Sequence, residues 1–320
     1  MDTQILISNL TNPTLLFFLL GIIAVQVRSD LEIPASSSKF ISLYLLFAIG
    51  FKGGQELAHS QWTTEIYLSL LAGLVISAAI PAYTFFVLKR RLGPDDAGAI
   101  AAAYGSVSAV TFVAATSFLE AQSLAAGGHM VAVMALMESP AIVVGVLLMG
   151  LYSHNQQQAM PMRSVVHHGV TNGSVLMVLG SLVIGLVADE QQAMGIKPFT
   201  TDIFKGFLAV FLLEMGLITG NKLTTFRKYG WFATAFGIVA PAVNGCLVAM
   251  ASILVTTDPA NRFMFAILAA SASYIAVPAA MRLAAPKADP GLYIPMALGI
   301  TFPFNITLGM PLYWAIVTAS

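Results

Sequence analysis

Two short polar patterns interrupt a chain that is otherwise almost wholly apolar. Residues 103–112 read AYGSVSAVTF, and residues 269–278 read AASASYIAVP. Each sets two serines two positions apart inside a run long enough to cross a bilayer. In lipid every backbone polar group needs a partner, so a helix break survives only where it is buried in protein or lines a cavity. Gly105, Ser106, Ser108 and Thr111 mark such a break in the first run. Ser271, Ser273 and Pro278 mark it in the second, where proline suits the start of a new half-helix. The N-terminal end of a half-helix offers free N–H groups and about half a positive charge. Two such ends facing each other can hold a small anion without any arginine. The C-terminal ends expose carbonyls that suit a hard cation such as Na+, and the hydroxyls of Ser106, Ser108, Thr111, Ser271 and Ser273 add ligands. Small residues also let membrane helices pack closely, but packing alone does not explain why the pair recurs at matching places.

Two acids add to this pattern. Glu138, in MESPA, lies about ten residues into the fifth apolar run, and Glu214, in FLLEMG, lies at similar depth in the seventh. A carboxylate at mid-membrane is expensive and points to function. Glu138 beside Ser139 and Pro140 reads as a cation ligand or proton carrier at a kink; Glu214 reads equally well as a structural hydrogen-bonding residue. Thr301 and Asn305, in the last run, are candidate uncharged cation ligands, and Asn244 reads as a link between helices. The chain lacks H-E-x-x-H, C-x-x-C and G-x-x-x-x-G-K-[ST] motifs, so an intramembrane protease, an oxidoreductase and an ATP-driven pump all lack their parts. No enzyme is expected. His167 and His168 are adjacent, fall on different helix faces and suggest a surface or regulatory role. Cys246 reads as packing.

The elements that must position these residues are membrane helices. Of 320 residues, 58% are hydrophobic and 9% charged, and the mean hydropathy is +0.83; a soluble domain carries about 25% charged residues. Fifteen basic and fifteen acidic side chains cancel, so nucleic acid is not an expected partner; the lipid bilayer is. Ten runs of spanning length are expected near 13–27, 39–57, 64–88, 97–119, 129–151, 171–188, 203–221, 231–255, 262–284 and 291–317. The first has no basic n-region or small-residue cleavage site and is expected to be retained as a span. The fifteen Lys and Arg split eleven to four between alternate loops, the four being Lys52, Lys197, Lys205 and Arg262. That asymmetry places both termini outside.

Five spans per half then have opposite orientations, and the halves resemble each other. YLLFAIGFKGGQEL (44–57) resembles AVFLLEMGLITGNKL (209–223), SVSAVTFVAA (106–115) aligns on SASYIAVPAA (271–280), and MALMESP (134–140) falls where MALGITFP (296–303) does. The expected fold is therefore an all-α polytopic membrane protein. Its ten helices form a five-plus-five inverted repeat with discontinuous, crossed helices four and nine. The first repeat is residues 1–151, a cytoplasmic linker 152–170, and the second repeat 171–320.

Several segments together resemble the cyanobacterial sodium-dependent bicarbonate transporters. They are IPASSSKFISLYLLFAIGFKGGQEL (33–57), YGSVSAVTF (104–112), MESPAIV (137–143), KGFLAVFLLEMGL (205–217) and AASASYIAVPAAMRLAAPKADPGLYI (269–294). The resemblance implies Na+-driven import of HCO3− by an elevator-like symporter in the bacterial inner membrane. Spans 1, 2, 6 and 7 would form a gate domain, and spans 3–5 and 8–10 a mobile core. It also implies a homotrimer and a PII-like regulatory protein on the cytoplasmic face. Carried over by position, substrate contacts fall on Gly105, Ser106, Ser108, Ser271 and Ser273, with cation contacts near Thr111 and Glu138. Two positions depart from the family pattern, which has an aspartate where this chain has Tyr274 and an aspartate-bearing motif at Glu138-Ser139-Pro140. Tyr274 can offer its hydroxyl to the cation instead. The alternatives are a cation- or proton-coupled transporter of another small anion or carboxylate, an anion channel, or a membrane-embedded sensor.

Overall fold

The computed structural model describes residues 13–152, 173–222, 226–274, 277–278, 280–281, 285 and 287–320, and among these no strand occurs. The linker expected at 152–170, with His167 and His168, lies almost wholly outside them. The helices are α1 Pro13–Gln26, α2 Ala35–Ala58, α3 Thr64–Leu88, α4 Pro94–Gly105, α5 Ala109–Ala121 and α6 His129–Tyr152. They continue with α7 Gly173–Val187, α8 Glu190–Lys197, α9 Phe204–Lys222, α10 Phe226–Ala251, α11 Pro259–Ala270 and α12 Pro290–Ala319. Their starts follow local chemistry: proline opens α4, α11 and α12, where its missing N–H costs nothing. Asp258 and Asp289 cap α11 and α12 by accepting from the backbone N–H groups of Asn261 and Gly291.

Among the described residues, six segments are long and apolar enough to cross a membrane: Thr64–Leu88, Pro94–Ala121, His129–Tyr152, Glu190–Asn221, Trp231–Leu254 and Pro290–Ala319. These correspond to six of the ten expected spans. Of the other four, the first and sixth runs are described only from Pro13 and Gly173 onward, where they form the apolar helical stretches Leu16–Gln26 and Val175–Val187. Helix α2 has 24 residues but carries Lys39, Lys52 and Glu56. The ninth run stops as a helix at Ala270.

Two helix pairs join opposite halves of the sequence, and two groups pack within a half. Helix α1 packs along α9, and α2 packs along α7, while α3, α4 and α6 pack together, as do α10, α11 and the end of α12. Both cross-half pairs approach backbone to backbone. A Cβ on Gly216 would overlap the Phe18 carbonyl oxygen, and one on Gly54 would overlap the Leu182 carbonyl oxygen. Gly216→Val is therefore expected to cost about 3 kcal/mol or more, the upper end of overpacking, because backbone cannot move aside as a side chain does. The check is the yield and thermal midpoint of monodisperse detergent-purified protein; wild-type values would overturn the close-approach argument.

Helix α12 is not uniform. Residues Ala297–Thr301 and Asn305–Gly309 form π-helical turns, a rare geometry that is frequent at functional sites. A third π turn, Pro198–Asp202, joins α8 to α9.

Candidate functional site

Both Ser-x-Ser patterns are helix breaks, and they touch. Helix α4 ends at Gly105 and Ser106 turns extended (φ −82°, ψ 168°); α11 ends at Ala270 and Ser271 turns extended in nearly the same way (φ −80°, ψ 165°). Two twelve-residue half-helices, each opened by proline, thus stop in the same local conformation. The breaks hold each other. The Ser108 N–H donates to Ser271 Oγ at 3.0 Å, and the Ser273 N–H donates to the Ala103 carbonyl at 2.8 Å. Ser271 Oγ donates in turn to the Leu268 carbonyl at 2.9 Å.

The second half-helices start from the same residues. Ser108 Oγ accepts from the Thr111 N–H at 3.2 Å, an N-cap for α5. Ser273 Oγ accepts from the Val277 N–H at 3.4 Å, and residues 277 and 278 are already helical. Ser106 is fully buried, and its hydroxyl has no partner among the described residues. An unpaired buried hydroxyl is costly enough to require a reason.

A cavity of about 20 Å³ opens beside the crossing, lined by Ser42, Leu45, Val107, Ser108, Val110, Glu138, Ser273 and Tyr274 among others. That volume accommodates one water-sized particle. Glu138, on α6 just before the helix-internal Pro140, is only 7% exposed. Its carboxyl has no hydrogen-bond or ion-pair partner among the described residues, which leaves it available to a ligand. The Tyr274 hydroxyl is likewise buried and lies beside Ser108.

The structure thus gathers Ser108, Ser273, Tyr274 and Glu138 around one cavity, with Ser106 and Ser271 at the crossing behind it. Gly105 acts through its size: an added Cβ would overlap the Pro81 ring and lie 3.1 Å from Ala141 Cβ. Thr111 is buried one turn into α5 but does not line the cavity. Thr301 and Asn305 stand apart from it. The Thr301 hydroxyl donates to the Gly237 carbonyl at 2.8 Å and accepts from the Tyr104 hydroxyl at 2.7 Å. Asn305 Nδ2 donates to the Ala270 carbonyl at 2.8 Å, satisfying an acceptor that the break in α11 sets free. Each of these two residues sits at the edge of a π turn. Asn305→Leu is expected to cost about 1–3 kcal/mol by leaving that carbonyl unpaired, read as a lower thermal midpoint. An unchanged midpoint would remove Asn305 from the support of the crossing.

Glu214, on α9, is 7% exposed, and its Oε2 is unpartnered among the described residues. Asn244 accepts a hydrogen bond from the Tyr83 hydroxyl across α3 and α10. One cluster is invisible from sequence spacing: Glu120 pairs with both Lys52 (3.6 Å) and Lys205 (3.0 Å) at the mouth of a second, larger cavity. The sequence signal is that Lys52 and Lys205 are two of the four basic residues on the side expected to carry few.

A family model described as the Na+-dependent bicarbonate transporter superfamily matches residues 13–318. No curated protein matches the chain.

Proposed function

The chain belongs to the Na+-dependent bicarbonate transporter superfamily, so it is a membrane transporter and not an enzyme, and on that premise we propose that it is a secondary active symporter importing HCO3− with Na+. The observation that carries this reading is the mutual pinning of the two breaks by Ser108 N–H to Ser271 Oγ and Ser273 N–H to the Ala103 carbonyl. Two half-helix starts then converge beside a carboxylate, the arrangement suited to an anion and a cation bound together.

In this reading HCO3− lies at the capped starts of the second half-helices, near Gly105, Ser106, Ser108, Ser271 and Ser273. Na+ takes the Glu138 carboxylate and the Tyr274 hydroxyl, with Thr111 close by. Thr301 and Asn305, both already hydrogen-bonded, keep the crossing in shape. Spans 1, 2, 6 and 7 form a gate against which the remaining spans move in an elevator-like way. The cross-half pairs α1 with α9 and α2 with α7, related by exchange of the halves, support the five-plus-five inverted repeat. The inner membrane, outside termini, a homotrimer and a PII-like partner belong to the same reading and rest on the resemblance and on the Lys and Arg asymmetry.

The test is uptake of radiolabelled bicarbonate into proteoliposomes, with and without an inward Na+ gradient at fixed pH. Saturable, gradient-dependent uptake is expected. Uptake driven only by a proton gradient would favour the second reading, in which Glu138 carries a proton with another small anion; its unpartnered carboxyl is the observation behind that alternative. No uptake of any small anion by folded protein would overturn both.

A further inference from the structure

The cavity with Glu120 at its mouth has a volume of about 290 Å³. It lies along the same seam between α2 and α5 as the small cavity, farther from the breaks. Leu45 and Val110 line the small one; Ile49, Lys52, Thr116 and Glu120 line the large one. Residues 108 to 120 span about 18 Å, so the large cavity lies about that far along α5 from the crossing.

Its mouth is built around a single carboxylate. Glu120 Oε2 is 3.0 Å from Lys205 Nζ, and Oε1 is 3.6 Å from Lys52 Nζ. The two ammonium groups come from α2 and α9, and the acid comes from the half-helix that begins at the first break. Each oxygen of one planar O–C–O group thus has its own lysine. A bicarbonate, formate or nitrate ion presents the same planar pair of oxygens. The side chains are 31–67% exposed, so the pairs are screened and weak enough to exchange with a dissolved anion. Glu56, Thr116, Thr200 and Thr201 line the space behind them. Glu56 is the second acid there and opposes retention of an anion once it has entered.

We propose that this cavity is an entry site for a small planar oxyanion, with the Glu120 carboxylate as a tethered stand-in that occupies the lysine pair until the anion displaces it. The proposal rests on the transport reading for its choice of bicarbonate as cargo. Displacement also unties α5 from α2 and α9, coupling capture of the anion to release of the half-helix that carries the site. An ion pair that merely tied the helices together would have the same geometry but a different response to mutation.

Isothermal titration of the purified protein with bicarbonate, formate and nitrate in chloride-free buffer separates the two. Glu120→Ala is expected to bind these anions about threefold to tenfold more tightly, because two weak ion pairs no longer compete for the seat. Adding Lys205→Met to Glu120→Ala is expected to abolish that gain. Equal affinity in Glu120→Ala and wild type, or a gain that survives loss of Lys205, would overturn the proposal. Formate and nitrate binding does not depend on transport, so a wild type that binds them but imports no bicarbonate sinks the cargo assignment alone. A Glu120→Gln variant, which keeps the size of the side chain, guards against a folding defect and is expected to show the same gain.

Discussion

Proteoliposomes carrying Ser108→Ala with Ser273→Ala are expected to take up no bicarbonate above background, while the protein remains folded. The structure separates the two outcomes unusually well. The hydrogen bonds that pin the breaks together use the backbone N–H groups of residues 108 and 273, with Ser271 Oγ and the Ala103 carbonyl as acceptors. Alanine keeps all of these. What the double variant loses are two hydroxyls that accept from the Thr111 and Val277 N–H groups. Loss of a cap costs about 0.5–2 kcal/mol, so the pair lowers the thermal midpoint without unfolding the chain. The same two residues line the cavity shared with Glu138 and Tyr274, and in the proposed reading their truncation removes two of the anion's side-chain ligands. Ser271→Ala is the contrasting control: it removes an acceptor of the crossing itself and is expected to lose stability along with activity. Wild-type uptake by the double variant would sink the assignment of the anion site.

The second large effect is expected from Glu138→Gln. Gradient-driven uptake should fall by at least tenfold, about 1.4 kcal/mol in the barrier, and what remains should no longer respond to Na+. Stability should move the other way or not at all. Glu138 is 7% exposed and its carboxyl has no hydrogen-bond or ion-pair partner among the described residues, so an amide of equal size replaces a buried acid without removing a contact. Loss of function with unchanged or raised stability marks a residue kept for its ligand. Retained Na+-dependent uptake would exclude it from the cation site.

How much of this was legible in the sequence depends on the range of the interaction. The breaks at 106–108 and 271–273 were readable because glycine, serine and proline change local backbone preference wherever they stand. Helix existence followed from unbroken apolar runs. What the runs did not give was whether every run continues as a long helix: α11 ends at Ala270. The roles of Thr301 and Asn305 depend on partners 64 and 35 residues away, and no spacing rule reaches that far. The π turns around them have no local signature in the sequence. The Glu120 cluster joins residues from three helices, and each looks like an ordinary surface charge until the helices meet.

The cross-half packing also has a consequence for synthesis. Helix α1 must wait for α9, α2 for α7, and the first break for the second, whose serine acceptor lies 163 residues farther along. At about 5–20 residues per second, the ribosome needs roughly 10–30 s to make that stretch. During this interval the open end of α4 and the glycine faces of α1 and α2 stand in the membrane without their partners. A chain truncated before residue 271 would leave the first break without either contact that closes it.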